Sequence, residues 1–303
     1  MTKLIECVPN FSCSRERDEG AFQALAETAR GVPGCTLLDT HSDGSHNRCV
    51  LTLIGSPEAV AEAAFRLAET AVRVIDLTRH TGEHPRMGAV DVIPLVPLAR
   101  ADMEECVALS RSLGRRLWEE LGLPSFLYEN SASRPERRDL AACRRGQFEG
   151  MGEKLLRPEW APDFGERRVH PTAGIVAIGA RAPLVAFNVN LATSDVEVAK
   201  KIAKAIRGSS GGFRCCKALG LYLEDRGTAQ VSMNLVDCQV TPLNLVFEMI
   251  RALAERYGTH IVSSELVGLA PAKALLDCAE HYLRLEHFDC RGQVIEYRLL
   301  EME

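Results

Sequence analysis

Two histidines, two carboxylates and an arginine crowd one short stretch, His80-Thr81-Gly82-Glu83-His84-Pro85-Arg86-Met87-Gly88-Ala89-Val90-Asp91. A buried helix or strand has no use for that mixture, whereas a loop that presents reactive groups to a substrate does. His80 to His84 fits H-x-x-E-H, in which two histidines a helical turn apart share a zinc ion. That chemistry needs a helix, and Gly82 within the turn and Pro85 after it oppose one. The stretch is therefore read without a metal. An imidazole with an unperturbed pKa of about 6.5 can accept and return a proton near neutrality, so His84 is a candidate general acid–base. Gly82 and Pro85 fix the backbone that aims the ring, and Arg86 carries a fork suited to a carboxylate. Glu83 or Asp91 either orients the imidazole or is an ordinary loop or strand-start residue. A histidine that only hydrogen-bonds within its loop is the alternative for His84. The residues alone leave both readings standing.

The elements around this loop come in a regular order. A strand pattern covers residues 3–9 and a helical one 16–30, ending near Gly31 and Pro33. Strand runs at 35–40 and 48–55 flank a polar loop at 41–47. Ser56 as N-cap and Pro57 at the first helical position open a helix whose buried stripe is Val60, Ala64, Leu67, Ala71 and Val74. After the histidine loop come a strand at 91–98, a helix with Met103, Cys106, Leu109, Leu113 and Leu117 on one side, and a strand near 125–128. The polar, arginine-rich interval 130–172 predicts one or two short helices and then an extended loop. Strands follow at 174–180 and 184–191, then a helix with Val196, Ala199, Ile202 and Ile206. Strands near 217–224 and 229–236 flank the turn Asp225-Arg226-Gly227. Thr241-Pro242 opens the next helix. A strand at 260–265, a helix at 271–285 and a strand at 293–299 complete the chain.

Each half thus reads strand, helix, strand, strand, helix, strand, then a further helix and strand. The βαββαβ order is the ferredoxin-like unit. The expected fold is α+β: two ferredoxin-like subdomains in tandem, 1–181 and 182–303. A single larger α/β sheet of the same elements is the alternative.

Composition narrows the function classes. Of 303 residues 46% are hydrophobic and 25% charged, ordinary for a globular chain that needs no bilayer. A net charge of −5 gives no reason to expect a nucleic-acid partner. The first residues read as a strand rather than a signal peptide, and the eleven cysteines include no C-x-x-C pair. Buried free thiols in a reducing cytoplasm are expected. Gly208-Ser209-Ser210-Gly211-Gly212 lacks the lysine of a phosphate cradle and reads as a connector.

Ordered motifs along the whole chain resemble the glutamate formiminotransferase family. They are Glu6-Cys7-Val8-Pro9-Asn10-Phe11-Ser12, Leu37-Leu38-Asp39, Asn47-Arg48 and Gly82-Glu83-His84-Pro85-Arg86-Met87-Gly88-Ala89. Further on stand Trp160-Ala161-Pro162-Asp163-Phe164-Gly165, Ala186-Phe187-Asn188-Val189-Asn190-Leu191 and Leu266-Val267-Gly268-Leu269. The resemblance implies two ferredoxin-like subdomains with a substrate tunnel between them. It implies transfer of the formimino group of N-formimino-L-glutamate to N5 of tetrahydrofolate, with His84 as the catalytic residue. Asp39 is the carboxylate expected beside the cationic amidine. Arg48 and Arg86 are counted with the substrate-binding residues. Asn10, Asn188 and Asn190 either face the tunnel or satisfy neighbouring backbone.

The resemblance also implies that folate is held by Gly165-Glu166-Arg167-Arg168-Val169-His170-Pro171-Thr172-Ala173-Gly174. Glu166-Arg167-Arg168 departs from the family pattern; Arg167 and Arg168 are expected either to meet folate glutamyl carboxylates or to be a solvated basic loop. Tetrahydrofolate is then a co-substrate, no metal is required, and a cytoplasmic homodimer is expected. Because the chain ends at Glu303, a separate cyclodeaminase is expected to consume the product. The rival readings are a related transferase using N-formylglutamate and a tandem binding module for folate or glutamate without turnover.

Overall fold

The computed structural model describes residues 3–82, 84–224 and 226–302. They divide into two compact units, one up to Arg181 and one from Ala182 onward. Both are α+β, each built on its own sheet.

The first unit opens with a strand in two pieces, β1 (Leu4–Cys7) and β2 (Asn10–Phe11). Helix α1 (Glu19–Arg30), strands β3 (Cys35–Asp43) and β4 (Arg48–Gly55), helix α2 (Pro57–Val74) and strand β5 (Val90–Ala99) follow. In the sheet, β3 pairs with β4, β4 with β1 and β2, and these with β5, all antiparallel. Helix α3 (Met103–Leu121) leads to β6 (Ser125–Glu129), then α4 (Leu140–Arg144), α5 (Gln147–Leu155) and β7 (Val176–Ala180). Strand β7 runs parallel to both β5 and β6 and widens the sheet to seven strands.

Local chemistry sets the helix starts. Ser56 accepts from the Ala59 N–H with Pro57 at the first helical position, and Val60, Ala64, Leu67 and Ala71 are buried as the spacing predicts. Asp102 and Glu105 form a reciprocal capping box for α3, which ends at left-handed Gly122. The polar loop expected at 41–47 is shorter than predicted. Strand β3 runs on to Asp43, because the Asp43 carboxylate takes the N–H groups of Ser45 and His46 and closes the turn itself.

Alternation along β4 separates two faces. Cys49, Leu51 and Leu53 join the core beneath α1, α2 and α3. Arg48, Val50 and Thr52 point the other way. Asp43, Asn10 and Asp39 share that second face, being paired with Arg48, Val50 and Thr52 respectively. Over β5, β6 and β7 the second face is covered by an apolar cluster of Met87, Val92, Phe126, Tyr128 and Ile175 with Cys143, Met151 and Leu155 from α4 and α5.

The second unit comprises β8 (Val185–Leu191), α6 (Val196–Ile206), β9 (Cys216–Leu223), β10 (Thr228–Leu235), α7 (Leu243–Arg256), β11 (Ile261–Val267) and α8 (Ala272–Leu283). Its antiparallel sheet has the order β9, β10, β8, β11, so second, third, first and fourth strands stand side by side. The first unit arranges β3, β4, the β1–β2 strand and β5 in the same order. Val185, Val189, Val231 and Leu235 pack with α6 and α7, while Asn188, Asn190, Gln230 and Ser232 alternate onto the opposite face. Of the expected turn Asp225-Arg226-Gly227, Asp225 lies outside the described residues. Gly208–Ser210 is a 3-10 turn that connects helix to strand.

The structure overturns one expectation here. Residues 293–299 are not a strand: α9 (Cys290–Gln293), capped by Asp289, is followed by α10 (Ile295–Met302). Ile295, Tyr297 and Leu299 mimic alternation, yet the backbone closes helical bonds such as Arg298 N–H to the Val294 carbonyl. Helix α7 does start directly after Thr241-Pro242. It has no side-chain cap, and the Thr241 hydroxyl accepts from the Cys215 N–H. All eleven cysteines are free thiols. Among the described residues no helix is long and apolar enough to cross a membrane.

Candidate active site

Residues 80–82 and 84 are not helical, so His80 and His84 lack the one-turn spacing that a shared zinc ion needs. Their environments differ. His80 is structural: its Nδ1 accepts from Arg86 Nε at 3.1 Å, leaving Nε2–H to donate to the Asn47 carbonyl at 3.0 Å. The Asn47 amide donates to the Thr81 carbonyl, and the His84 N–H points to the His46 carbonyl. The turn between β3 and β4 therefore holds the histidine loop in place.

His84 is 5% exposed, and its Nε2 has no hydrogen-bond partner. That nitrogen lies 3.7 Å from Asp91 Oδ2, an ion-pair distance too long for a hydrogen bond. Burial lowers the imidazole below its ordinary pKa, Asp91 opposes this, and the nearby Arg144 and Arg48 guanidiniums add to it. The ring is thus neutral around neutral pH, the state a base requires. Asp91 is fully buried at the start of β5. Its Oδ1 accepts from the Met87 N–H at 2.8 Å, and its Oδ2 receives Arg144 Nε at 2.7 Å and Nη2 at 2.5 Å. Although burial opposes ionisation, Arg144, His84 and the Met87 N–H together hold this carboxyl below its usual range. Of the two carboxylates expected to orient His84, Asp91 faces it; Glu83 lies outside the described residues.

Arg48 stands at the head of β4 opposite Asp43, with a buried Nε that has no partner. Burial and the Arg144 charge lower its pKa, and Asp43 and Asp91 oppose them. An unpaired guanidinium nitrogen beside a partnerless imidazole suits an anionic ligand with an exchangeable proton.

The expectation for Arg86 needs correction. Its guanidinium is bidentate on Glu149, at 2.9 Å and 2.5 Å, and also donates to Gln147 and His80. A protein carboxylate already fills the fork intended for substrate. Asp39 shares a face with Arg48 but pairs with Thr52, four positions along β4, roughly 13 Å away at about 3.3 Å per residue. The Asn10 amide donates to the Val8 carbonyl. In the second unit Asn188 meets Glu265, and Asn190 bonds Ser263 and Gln230, so these amides satisfy side chains on their own sheet face rather than backbone.

The segment 165–174 joins the histidine loop through its second half. Gly88 and Gly174 form a β-bridge, the Ala89 N–H donates to the Ala173 carbonyl, and the Ile175 N–H to the Met87 carbonyl. Only glycines permit this approach. A Cβ on Gly174, where φ is +70°, would lie 2.1 Å from the Met87 carbonyl oxygen, and one on Gly88 would lie 2.4 Å from the Ile175 oxygen. His170 Nδ1 takes the Ala173 N–H at 3.0 Å and rounds the turn, and the Thr172 carbonyl receives the Leu77 N–H. Glu166, Arg167, Arg168 and Pro171 are exposed, with Arg168 on Glu166 at 2.9 Å, while Val169 packs against the cluster under α4 and α5. Gly165 sits against Trp118 and Pro124. Asp163, just before it, is pinned by the buried Arg137 and the Leu127 N–H.

Sequence reasoning missed Arg144 and Glu149. Both belong to the arginine-rich interval, and their partners are 53 and 63 residues away. The only available signal was a surplus of arginines in a polar stretch that nonetheless forms helices.

Comparison with known proteins adds an independent line. Residues 4–181 match the formiminotransferase domain, N-terminal subdomain, and residues 186–299 match the formiminotransferase domain. A glutamate formimidoyltransferase of Streptococcus pyogenes serotype M1 is 54% identical over 300 residues, covering 99% of this chain and 100% of the relative. One from Thermoplasma acidophilum is 45% identical, covering 98% of this chain and 97% of the relative. A formimidoyltransferase-cyclodeaminase of Gallus gallus is 46% identical over 94% of this chain and 53% of the relative.

Proposed function

The chain belongs to the formiminotransferase domain family, and we propose that His84 is its proton carrier, with Asp91 facing its Nε2 and Arg48 on a donor carboxylate. The activity is glutamate formimidoyl transfer, within histidine degradation and folate one-carbon metabolism. The donor is N-formimino-L-glutamate and the acceptor tetrahydrofolate, which supplies the nucleophilic N5–H. The products are 5-formimidoyltetrahydrofolate and L-glutamate.

The observation that carries the His84 assignment is its buried Nε2, without a partner yet facing a fully buried carboxylate. In the transfer, the bond from the amidine carbon to the glutamate nitrogen breaks as the bond to N5 forms. His84 takes the proton lost by N5 and returns it to the departing glutamate nitrogen. Asp91 stabilises the transient imidazolium, and Arg144 keeps Asp91 ionised. Arg48 fixes a carboxylate of the donor through the guanidinium edge that lacks an internal partner. Holding the two substrates together supplies much of the remaining acceleration. Arg86 serves the loop instead, tying it to α5 through Glu149.

The folate segment remains 165–174, supported by its bridge to the residues that follow His84. Arg167 is its exposed cation for a glutamyl carboxylate, and Asp39, Asn10, Asn188 and Asn190 remain substrate candidates on the polar sheet faces. Both units are read as ferredoxin-like, an N-terminal subdomain to residue 181 and a C-terminal one from 182, on the strength of their shared strand order. The enzyme is taken as a cytoplasmic homodimer, as the family resemblance implies. An assay with tetrahydrofolate and N-formimino-L-glutamate, repeated with N-formylglutamate, tests the donor. Product from the cationic amidine and little from the neutral formamide is expected; equal use of both would refute the donor assignment.

A further inference from the structure

Arg144 is the last residue of α4, a helix of only five residues that could not hold its guanidinium steady unaided. Lys154 supplies what is missing. Its side chain is buried, and its ammonium donates to the carbonyls of Ala142 at 2.6 Å, Cys143 at 2.7 Å and Arg145 at 3.1 Å. Two of those carbonyls immediately flank Arg144. The ammonium also lies 3.9 Å from the centre of the Trp160 ring, which meets Phe126 edge-on at 5.9 Å. A hollow of about 300 Å³, lined by Lys154, Arg145, Arg157 and Trp160 among others, adjoins it.

We infer that Lys154 is a positioning residue for the proton-transfer site: it clamps the end of α4 so that Arg144 stays on Asp91 Oδ2, opposite His84. The inference rests on reading His84 as the proton carrier. Capping a helix C-terminus with a cation is ordinary chemistry. Here the capped turn delivers one side chain to a buried carboxylate, so a lost cap is felt at the imidazole. The charged groups facing His84 are Asp91, Arg144 and Arg48. Those around Lys154 are Arg137, Arg145 and Arg157, with the Cys143 thiol, and it is the ammonium that donates to all three carbonyls.

The sign of the effect follows from the charges. If Arg144 leaves Asp91, the unopposed carboxylate raises the His84 pKa, and the acid limb of kcat/KM moves up toward the ordinary imidazole value. The test compares Lys154→Met, Arg144→Gln and their double mutant, with thermal melts to establish folding. Each single variant is expected to lose roughly tenfold to a hundredfold in kcat/KM, as small misplacements at a reacting centre do. Both should shift the limb upward, and the double mutant should shift it no further. Propylammonium, small enough for the adjoining hollow, should restore the wild-type limb in Lys154→Ala but not in Arg144→Gln. NMR titration of the His84 imidazole reads the same shift without turnover, and so decides the matter even where a variant is too weak to assay. A wild-type limb and a wild-type imidazole titration in the Lys154 variants would overturn the inference while leaving the His84 reading intact. Full turnover in His84→Ala would instead remove the reading on which it rests.

Discussion

His84 Nε2 lies 3.7 Å from Asp91 Oδ2, and that same oxygen receives both Nε and Nη2 of Arg144. One carboxylate oxygen therefore faces a cation on one side and the imidazole on the other. The buried Nε2 is not hydrogen-bonded in this arrangement. Asp91 is close enough to stabilise the imidazolium once it forms.

The pH dependence of turnover reports on this pair. His84 must be neutral to accept a proton, and burial places its pKa below the ordinary value of about 6.5. The acid limb of kcat/KM is therefore expected below that value. Asp91 raises the imidazole pKa, so Asp91→Asn should move the limb further down, with a loss of about a hundredfold or more in kcat. A limb that moves up in Asp91→Asn would contradict the assigned geometry.

Arg48 should act on one substrate only. Arg48→Ala removes the guanidinium with its unpartnered Nε and is expected to raise KM for the formimino donor by about tenfold or more, consistent with a lost charge-assisted contact of about 1.5–3 kcal/mol. The KM for tetrahydrofolate should change little. Arg48→Lys keeps the charge but not the fork and should fall between. Steady-state kinetics with each substrate varied in turn separates these outcomes, and equal rises in both KM values would count against a donor-specific role.

Gly174 tests the join between the two loops. Gly174→Ala puts a Cβ within 2.1 Å of the Met87 carbonyl oxygen at a φ of +70°. A loss of at least about 1–3 kcal/mol is expected, because both the steric clash and the backbone conformation oppose the side chain. Denaturant melts measure it. Since the bridge links Gly174 to Gly88, tetrahydrofolate affinity and kcat should fall together in the folded variant.

How much of this the sequence disclosed depended on distance along the chain. His84 and Asp91 are seven positions apart, so their stretch could be singled out from residue types alone. The helix started by Ser56 and Pro57 was legible because its cap and buried stripe are local. Arg86 misled, because a guanidinium beside a candidate base resembles a substrate clamp until Glu149, 63 residues on, is seen to occupy it. Arg144 and Lys154 were hidden for the same reason: the contacts they make are tertiary ones of two short helices. The strand expected at 293–299 failed because alternation in a short apolar run does not distinguish a strand from an amphipathic helix. The strand order common to both units followed from the repeated element order, whereas the parallel extension by β6 and β7 did not.

In the proposed transfer one imidazole carries the proton in both directions. The most direct measurement is single-turnover formation of 5-formimidoyltetrahydrofolate by His84→Ala, with tetrahydrofolate binding to the same variant followed by calorimetry. Turnover is expected to fall by roughly 10²–10⁴-fold, with folate affinity close to wild type. Wild-type turnover in a variant that still binds folate would contradict it.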